Sequence, residues 1–304
     1  MLKDLIKRKL TAYLQTMITP DITTEAARRV INEQRREKLM ESVLHTHEVG
    51  TASYGDRPTP VMVSLTTHGN RLYEVCLAIE SIMQGTVKPD GIILWIDEND
   101  DRPLPITLQR QMYRGLQVLR TNDIRSYTKL LPALRQFPEA DIITIDDDVF
   151  YPYDFLEALI ATHRTYPQAI VANIMMQVTR DADGIPKGIL QWPYIKEQAQ
   201  HFSSHDLFFE GFGGVYYPAG SMPDEVFNEQ VFKEICPTAD DVWFNAMVRL
   251  AHTPIQLCQR GHYDFIEATN AACQDSALNL INNSNDRNDR QIRAVWQHYH
   301  LQGE

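Results

Sequence analysis

Residues 140–151 read ADIITIDDDVFY. Ile142, Ile143, Thr144 and Ile145 form a β-branched run that stops at Asp146, Asp147 and Asp148, and hydrophobic residues resume at Val149. A short run of this kind, bounded by polar residues, predicts a strand buried on both faces. Open α/β sheets bind ligands outside the carboxyl ends of their strands, and three carboxylates stand at that end here. Like charges so close are costly unless a cation or solvent neutralises them. Oxygen-only ligands suit Mg²⁺ or Mn²⁺. The stretch reads as a metal site handling a phosphate-bearing substrate; its plainer reading is an exposed acidic turn.

Upstream, residues 61–65 (VMVSL) predict a first buried strand, followed by Thr66, Thr67, His68, Gly69 and Asn70. Asn70 is placed to cap a helix whose apolar face is Leu72, Val75, Cys76, Ile79 and Ile82 or Met83, with Gly85 ending it. Residues 91–96 (GIILWI) predict a second strand that runs into Asp97, Glu98, Asp100 and Asp101. A helix over 107–115, a third strand over 117–120 and a helix over 127–137 follow, with Pro132 tolerated only in its first turn. With the opening stretch as the fourth strand, the order is β-α-β-α-β-α-β, a parallel sheet with right-handed crossovers.

Downstream, Pro152 starts a helix over 153–163, and 170–173 predict a fifth strand. Residues 180–187 hold DADG, a hairpin signal. Residues 191–205 are aromatic and loop-like, and 210–220 (EGFGGVYYPAG) set glycines between aromatics. Helices are expected over 238–252 and 287–300, the latter with Ile292, Val295, Trp296 and Tyr299 inward and Asn288-x-x-Gln291 as its cap.

The N-terminal 48 residues differ in character. MLKDLIKRKLTAYL is basic and amphipathic, with Leu2, Leu5, Ile6, Leu10 and Tyr13 at helical spacing. Pro20 breaks it, and Thr23 or Thr24 can cap a second helix near 25–45. The segment reads as a packing or oligomerisation appendage, or as a peripheral contact with an anionic membrane. Residues 50–60 form a turn-rich linker.

The 304 residues are 43% hydrophobic and 23% charged, ordinary for a globular chain. A net charge of −11 argues against a nucleic-acid binder, which needs a basic face. Cys76, Cys236, Cys258 and Cys273 form no CxxC and read as reduced thiols of a cytosolic protein. No apolar run reaches the length of a membrane span and no signal peptide opens the chain, so a cytoplasmic location is expected.

VSLTTHGNR, KPDGIILWID, RSYTKLLPAL, IITIDDDVFYP, GFGGVYYPAG and CPTADDVWF, in this order, resemble a bacterial glycosyltransferase of the GT-A fold, family 2-like, of the type that builds capsule or lipopolysaccharide. The resemblance covers residues 60–300 or so. It implies a Rossmann-like nucleotide-diphospho-sugar transferase fold, a mostly parallel central sheet flanked by helices. Residues 1–50 are then an N-terminal helical extension and 51–304 the GT-A domain, with 60–150 binding the nucleotide sugar and 151–304 the acceptor. The implied activity is a metal-dependent, inverting hexosyltransferase. It moves sugar to a glycan or lipid-linked acceptor in surface polysaccharide biosynthesis, at the inner face of the membrane.

The resemblance makes Asp146–Asp148 the DxD-type motif that holds Mn²⁺ or Mg²⁺ on the donor diphosphate. Asp148 is the implied metal ligand and Asp146 the contact to ribose or sugar or a second ligand, with Asp147 able to exchange roles with either. Negative charge grows on the departing nucleoside diphosphate, and a divalent cation stabilises it. Thr66, Thr67 and Arg71 fall where the pattern places base and ribose. Asp97 falls where a carboxylate accepts from the base. Arg125 or Lys129 is expected to reach the diphosphate or sugar. Asp240 and Asp241 resemble the xED motif, with Asp240 where Glu is usual and Asp241 as general base. A helix N-terminus should keep Asp241 ionised; its plainer reading is a capping box with Thr238. Gly211, Gly213 and Gly214 let backbone approach a sugar, and Phe212, Tyr216 and Tyr217 offer stacking faces. A C-terminal His often completes the metal site: His252 and His262 are the candidates, His262 the favoured one. Two other classes remain: a nucleotidyltransferase-like phosphoryl enzyme, for which one glycine in THGNR is too few, and a non-catalytic nucleotide- or sugar-binding module, which needs neither acidic pair.

Overall fold

The computed structural model describes residues 27, 29–53, 57–182, 184–195, 206–259 and 286–301. The apolar runs become strands: β1 (Val61–Thr66), β2 (Gly91–Asp97), β3 (Leu116–Thr121), β4 (Asp141–Thr144) and β5 (Ile170–Ala172). Four shorter ones are β6 (Met175–Gln177), β7 (Leu207–Phe209), β8 (Val215–Tyr217) and β9 (Ile255–Leu257). The helices are α1 (29–45), α2 (Val75–Met83), α3 (Ile106–Met112), α4 (Leu131–Gln136), α5 (Phe155–Thr165), α6 (Glu229–Ile235), α7 (Asp240–Leu250) and α8 (Arg287–His298).

Seven strands form one mixed, mostly parallel sheet in the order β3-β2-β1-β4-β8-β5-β9. β1 pairs in parallel with β2 and β4, and β2 with β3. This is the four-strand parallel half expected from the apolar runs. The addition is β8, which enters antiparallel between β4 and β5. It has three residues, too few for a periodicity to appear, and its glycine-rich approach reads locally as a turn. β6 and β7 form a separate antiparallel ribbon.

Alternation along the strands feeds two cores. Met62, Ile93, Trp95 and Ile142 face α7 and α8; Val63, Leu65, Ile92, Leu94 and Ile143 face α2 and α5. Leu39 and Val43 of α1 join the second core. α1 is also tied by Arg35 donating to the Tyr151 carbonyl, Arg36 to Glu74 at 3.0 Å and Ser42 to Glu80 at 2.7 Å. Glu80 is fully buried and is neutralised by Arg114 at 2.7 Å. Residues 1–26, including the expected first helix, lie outside the described residues, as do His262 and Cys273. No described helix is long and apolar enough to cross a membrane.

Several helix starts differ from expectation. A 3-10 turn over Gly69–Tyr73 precedes α2, so Asn70 lies inside that turn and caps nothing. α5 begins at Phe155 instead of Pro152, because the Pro152 carbonyl closes a turn with the Phe155 N–H at 3.1 Å. Thr238 and Asp241 form no capping box. Ala239 is the N-cap of α7, and the Thr238 backbone and hydroxyl bond Gln291. That contact turns Gln291 inward, and α8 starts at Arg287, so Asn288 is within the helix. Pro132 sits in the first turn of α4, and Gly184 (φ +79°) makes the DADG hairpin, bridged by Arg180 and Pro186.

Candidate functional site

The sheet delivers β4 with its carboxyl end beside that of β1, and the three aspartates follow. Tyr151 folds back beneath them. Its hydroxyl accepts from the Asp146 N–H at 2.9 Å and donates to the Phe212 carbonyl at 2.9 Å, while its own N–H donates to Ser81 Oγ at 3.0 Å. The acidic loop is thereby fixed to the glycine-rich turn. Sequence reasoning passed over Tyr151, although it closes the opening stretch.

Asp147 turns inward. Thr67 Oγ1 donates to it at 2.7 Å and Arg71 Nη1 at 2.7 Å, and Arg71 Nη2 reaches Asp148 at 3.3 Å. Burial pushes the Asp147 pKa up, with Arg71 as the main opposing charge. Thr67 and Asp147 are therefore internal struts, not groups open to a nucleotide. Thr66 Oγ1 donates to the Trp95 carbonyl at 3.1 Å. Asp97 accepts from the Asn99 N–H at 3.0 Å and from its side chain at 3.1 Å, which holds the turn after β2.

Lys129 and Arg125 separate clearly. Arg125 is exposed, in a left-handed conformation (φ 62°), with Nη1 3.5 Å from the Pro237 carbonyl. Lys129 ends the 3-10 turn Arg125–Lys129, and its carbonyl accepts from Ser64 Oγ at 2.6 Å, which Trp95 Nε1 in turn bonds at 2.9 Å. This chain aims the ammonium inward, 3.0 Å from Asp146 and 3.1 Å from Asp240. Burial would lower its pKa; Asp146, Asp240 and Asp241 outweigh burial and hold it well above the ordinary lysine value.

Asp241 shares the Lys129 pocket at the N-terminus of α7. Asn245, a polar residue within an apolar run, donates to the Asp241 carbonyl at 2.8 Å and exchanges bonds with Phe209 at 2.9 and 3.1 Å, which sets α7 against β7. Asp241 Oδ1 is buried, and the backbone N–H of Gly211 is the donor nearest its carboxyl. A Cβ on Gly211 would lie 2.6 Å from that oxygen and 2.8 Å from Lys129 Nζ, so only glycine allows this approach. Burial, then the neighbouring Asp240, push the Asp241 pKa up to about 8. The expectation of an ionised Asp241 at neutral pH is corrected: a helix terminus contributes only about 0.3–1 kcal/mol, and loss of solvent outweighs it.

The other glycines and aromatics of the turn face the core. A Cβ on Gly213 would meet Ile174 at 2.7 Å, and one on Gly214 (φ +84°) would meet Phe155 at 2.4 Å. Phe212 is half-buried against the same core. Tyr216 and Tyr217 are buried in β8, with the Tyr216 hydroxyl on Asp141 and its ring stacked on His163 at 4.4 Å. They offer no stacking face. The glycines here make room for packed side chains, not for a sugar. His252 is exposed just beyond the far end of α7, roughly 15 Å along the helix from its acidic start.

Among the described residues no group of three or more His, Cys, Asp or Glu is gathered to hold a metal. Asp147 is buried, and the carboxylates nearer the rim are Asp146, paired with Lys129, and Asp148, paired with Arg71, their side chains 29% and 13% exposed. One or two carboxylates supplemented by substrate phosphate oxygens is the usual manner of Mg²⁺ binding. The oxygen-only chemistry of the pair is of the kind such an ion takes, and Lys129 and Arg71 hold the two carboxylates here.

No protein-family model and no curated protein matches the sequence. Among solved structures, S. aureus TarS 1-349 is similar with a TM-score of 0.45 and 13% identity, over 66% of this chain and 58% of that one. The same S. aureus protein in complex with UDP gives the same values. The aligned region thus spans under two thirds of the TarS chain.

Proposed function

We propose that this protein is a glycosyltransferase of the GT-A type. It moves a sugar from a nucleotide-diphospho-sugar to a glycan or lipid-linked acceptor with inversion. The observation that supports it is the bridge made by Lys129. Its ammonium joins Asp146 (3.0 Å) to Asp240 (3.1 Å), so two acidic motifs far apart in sequence share one edge of the sheet. One motif faces the rim; the other is buried beside Gly211 and Lys129. Sugar transfer needs both, a charge clamp on the leaving group and a base for the acceptor.

The acceptor hydroxyl attacks the anomeric carbon, the bond from that carbon to the phosphate oxygen breaks, and the hydroxyl proton passes to Asp241 Oδ1. Asp240 and Lys129 set the charge around that oxygen. Asp146 and Asp148 would hold Mn²⁺ or Mg²⁺, which when bound supplies positive charge to the departing diphosphate. Arg71 keeps Asp148 in place. Hexosyl specificity, a role in capsule or lipopolysaccharide synthesis, and work at the cytoplasmic face of a membrane complete the proposal; the sequence resemblance supports them.

The test is incubation with a panel of nucleotide sugars and Mn²⁺, reading released nucleoside diphosphate with and without EDTA. Turnover of at least one donor, lost with EDTA, is expected. Absence of turnover together with absence of nucleotide binding refutes the proposal. Asp148→Asn should abolish cation-dependent nucleotide binding, and unchanged affinity would remove Asp148 from the clamp.

A further inference from the structure

One face of the β6–β7 ribbon carries polar groups that this chemistry leaves unused. Strand alternation continued past β7 puts Phe208 and Glu210 on the same side. Phe208 packs edge-on against Trp192, ring centroids 5.3 Å apart. Tyr194 lies alongside, bridging to Met176 of β6. The Glu210 N–H donates to the Ile174 carbonyl at 3.2 Å, and the Tyr194 hydroxyl bonds the Glu210 carboxyl. Glu210 Oε2 is buried with no hydrogen-bond partner, and so is Trp192 Nε1. A buried polar group left without a partner is costly, and a ligand that supplies the partner removes that cost. One is an acceptor and the other a donor, and a sugar hydroxyl supplies both functions.

The position suits an acceptor. Glu210 immediately precedes Gly211, whose backbone lies against Asp241 Oδ1 and Lys129 Nζ. Tyr194 is 39% exposed, so part of its ring is open to a ligand. Burial pushes the Glu210 pKa up to about 7, so near neutral pH its carboxyl can donate as well as accept.

We infer that Glu210, Tyr194 and Trp192 form a sugar subsite beside the proposed base, with Tyr194 packing on the sugar ring and Glu210 Oε2 and Trp192 Nε1 bonding its hydroxyls. That the occupant is the acceptor rests on the glycosyltransferase reading; the subsite itself does not. Saturation-transfer NMR with p-nitrophenyl β-glucoside, β-galactoside and N-acetyl-β-glucosaminide probes the full chain, and calorimetry with UDP, GDP and CDP runs in parallel. At least one glycoside should bind, and Glu210→Leu and Tyr194→Ala should each weaken it about tenfold or more while nucleotide affinity stays within about twofold. Glycoside binding that survives both substitutions, or a wild-type chain that binds none of the three, overturns the subsite. Because Tyr194 is partly exposed, Tyr194→Ala carries the test if Glu210→Leu does not fold. A failure of the glycosyltransferase reading appears separately, as loss of all nucleotide binding by the wild type.

Discussion

Replacing Lys129 with Met keeps the volume of the stem and removes the ammonium that faces Asp146 at 3.0 Å and Asp240 at 3.1 Å. At that range and an effective dielectric near 20, each attraction is roughly 5 kcal/mol, set against a desolvation cost of similar size. Removing one partner of a buried pair leaves the other uncompensated, and losses of about 3–5 kcal/mol are typical. Asp146, 29% exposed, recovers water, so the loss falls mainly on the α7 acids, of which Asp240 is 11% exposed. The cost depends on pH through Asp241. Its folded pKa is already raised to about 8, and Lys129 acts to lower it, so the variant raises it further. A raised acid takes up a proton on folding; stability falls as pH rises from the unfolded carboxylate value to the folded one, and the variant extends that window upward. Urea unfolding should therefore show a loss of about 3–5 kcal/mol near pH 9 and a smaller one near pH 6.5. A loss under about 1 kcal/mol near pH 9 would refute Lys129 as the charge that holds the two motifs together.

Gly211→Ala places a methyl 2.6 Å from Asp241 Oδ1 and 2.8 Å from Lys129 Nζ; it should cost about 1–3 kcal/mol in thermal or urea unfolding and cut transfer more than tenfold. Gly214→Ala combines a backbone conformation (φ +84°) that only glycine adopts freely with a 2.4 Å contact to Phe155. Its unfolding free energy should fall by about 2–5 kcal/mol, while any folded fraction keeps nucleotide affinity. Asp241→Asn should leave donor binding intact and cut transfer about 10²-fold or more. Because it deletes the raised acid, it should also be more stable than wild type near pH 9, by about 2–5 kcal/mol, and the gap should close only as pH falls below the unfolded carboxylate value of about 4. In the wild type the transfer rate should climb with pH through about 8 as Asp241 ionises, and a profile flat from about pH 6 to 9 would exclude it as the base.

The sequence determined the parallel half. Runs such as 91–96 and 142–145 are satisfied by burial on both faces, and the helical periods between them call for parallel strands joined by right-handed crossovers; the strand order came from the structure. It also put Asp146–Asp148 at a strand end and Asp240–Asp241 at a helix start, because those are properties of neighbours in the chain. Tertiary structure decided what no local pattern records. β8, three residues long, is a strand only because β4 and β5 flank it, and that burial takes Tyr216 and Tyr217 away from any ligand. Lys129 and Arg125 look alike as charges four residues apart; the Trp95–Ser64 chain selects Lys129. The protonation of Asp241 depends on how completely α7, Gly211 and Lys129 shut out water, and desolvation is a property of the packed molecule rather than of the residues beside it in sequence. The opening aspartates were legible as a cluster, but only packing separated the inward Asp147 from Asp146 and Asp148 at the rim.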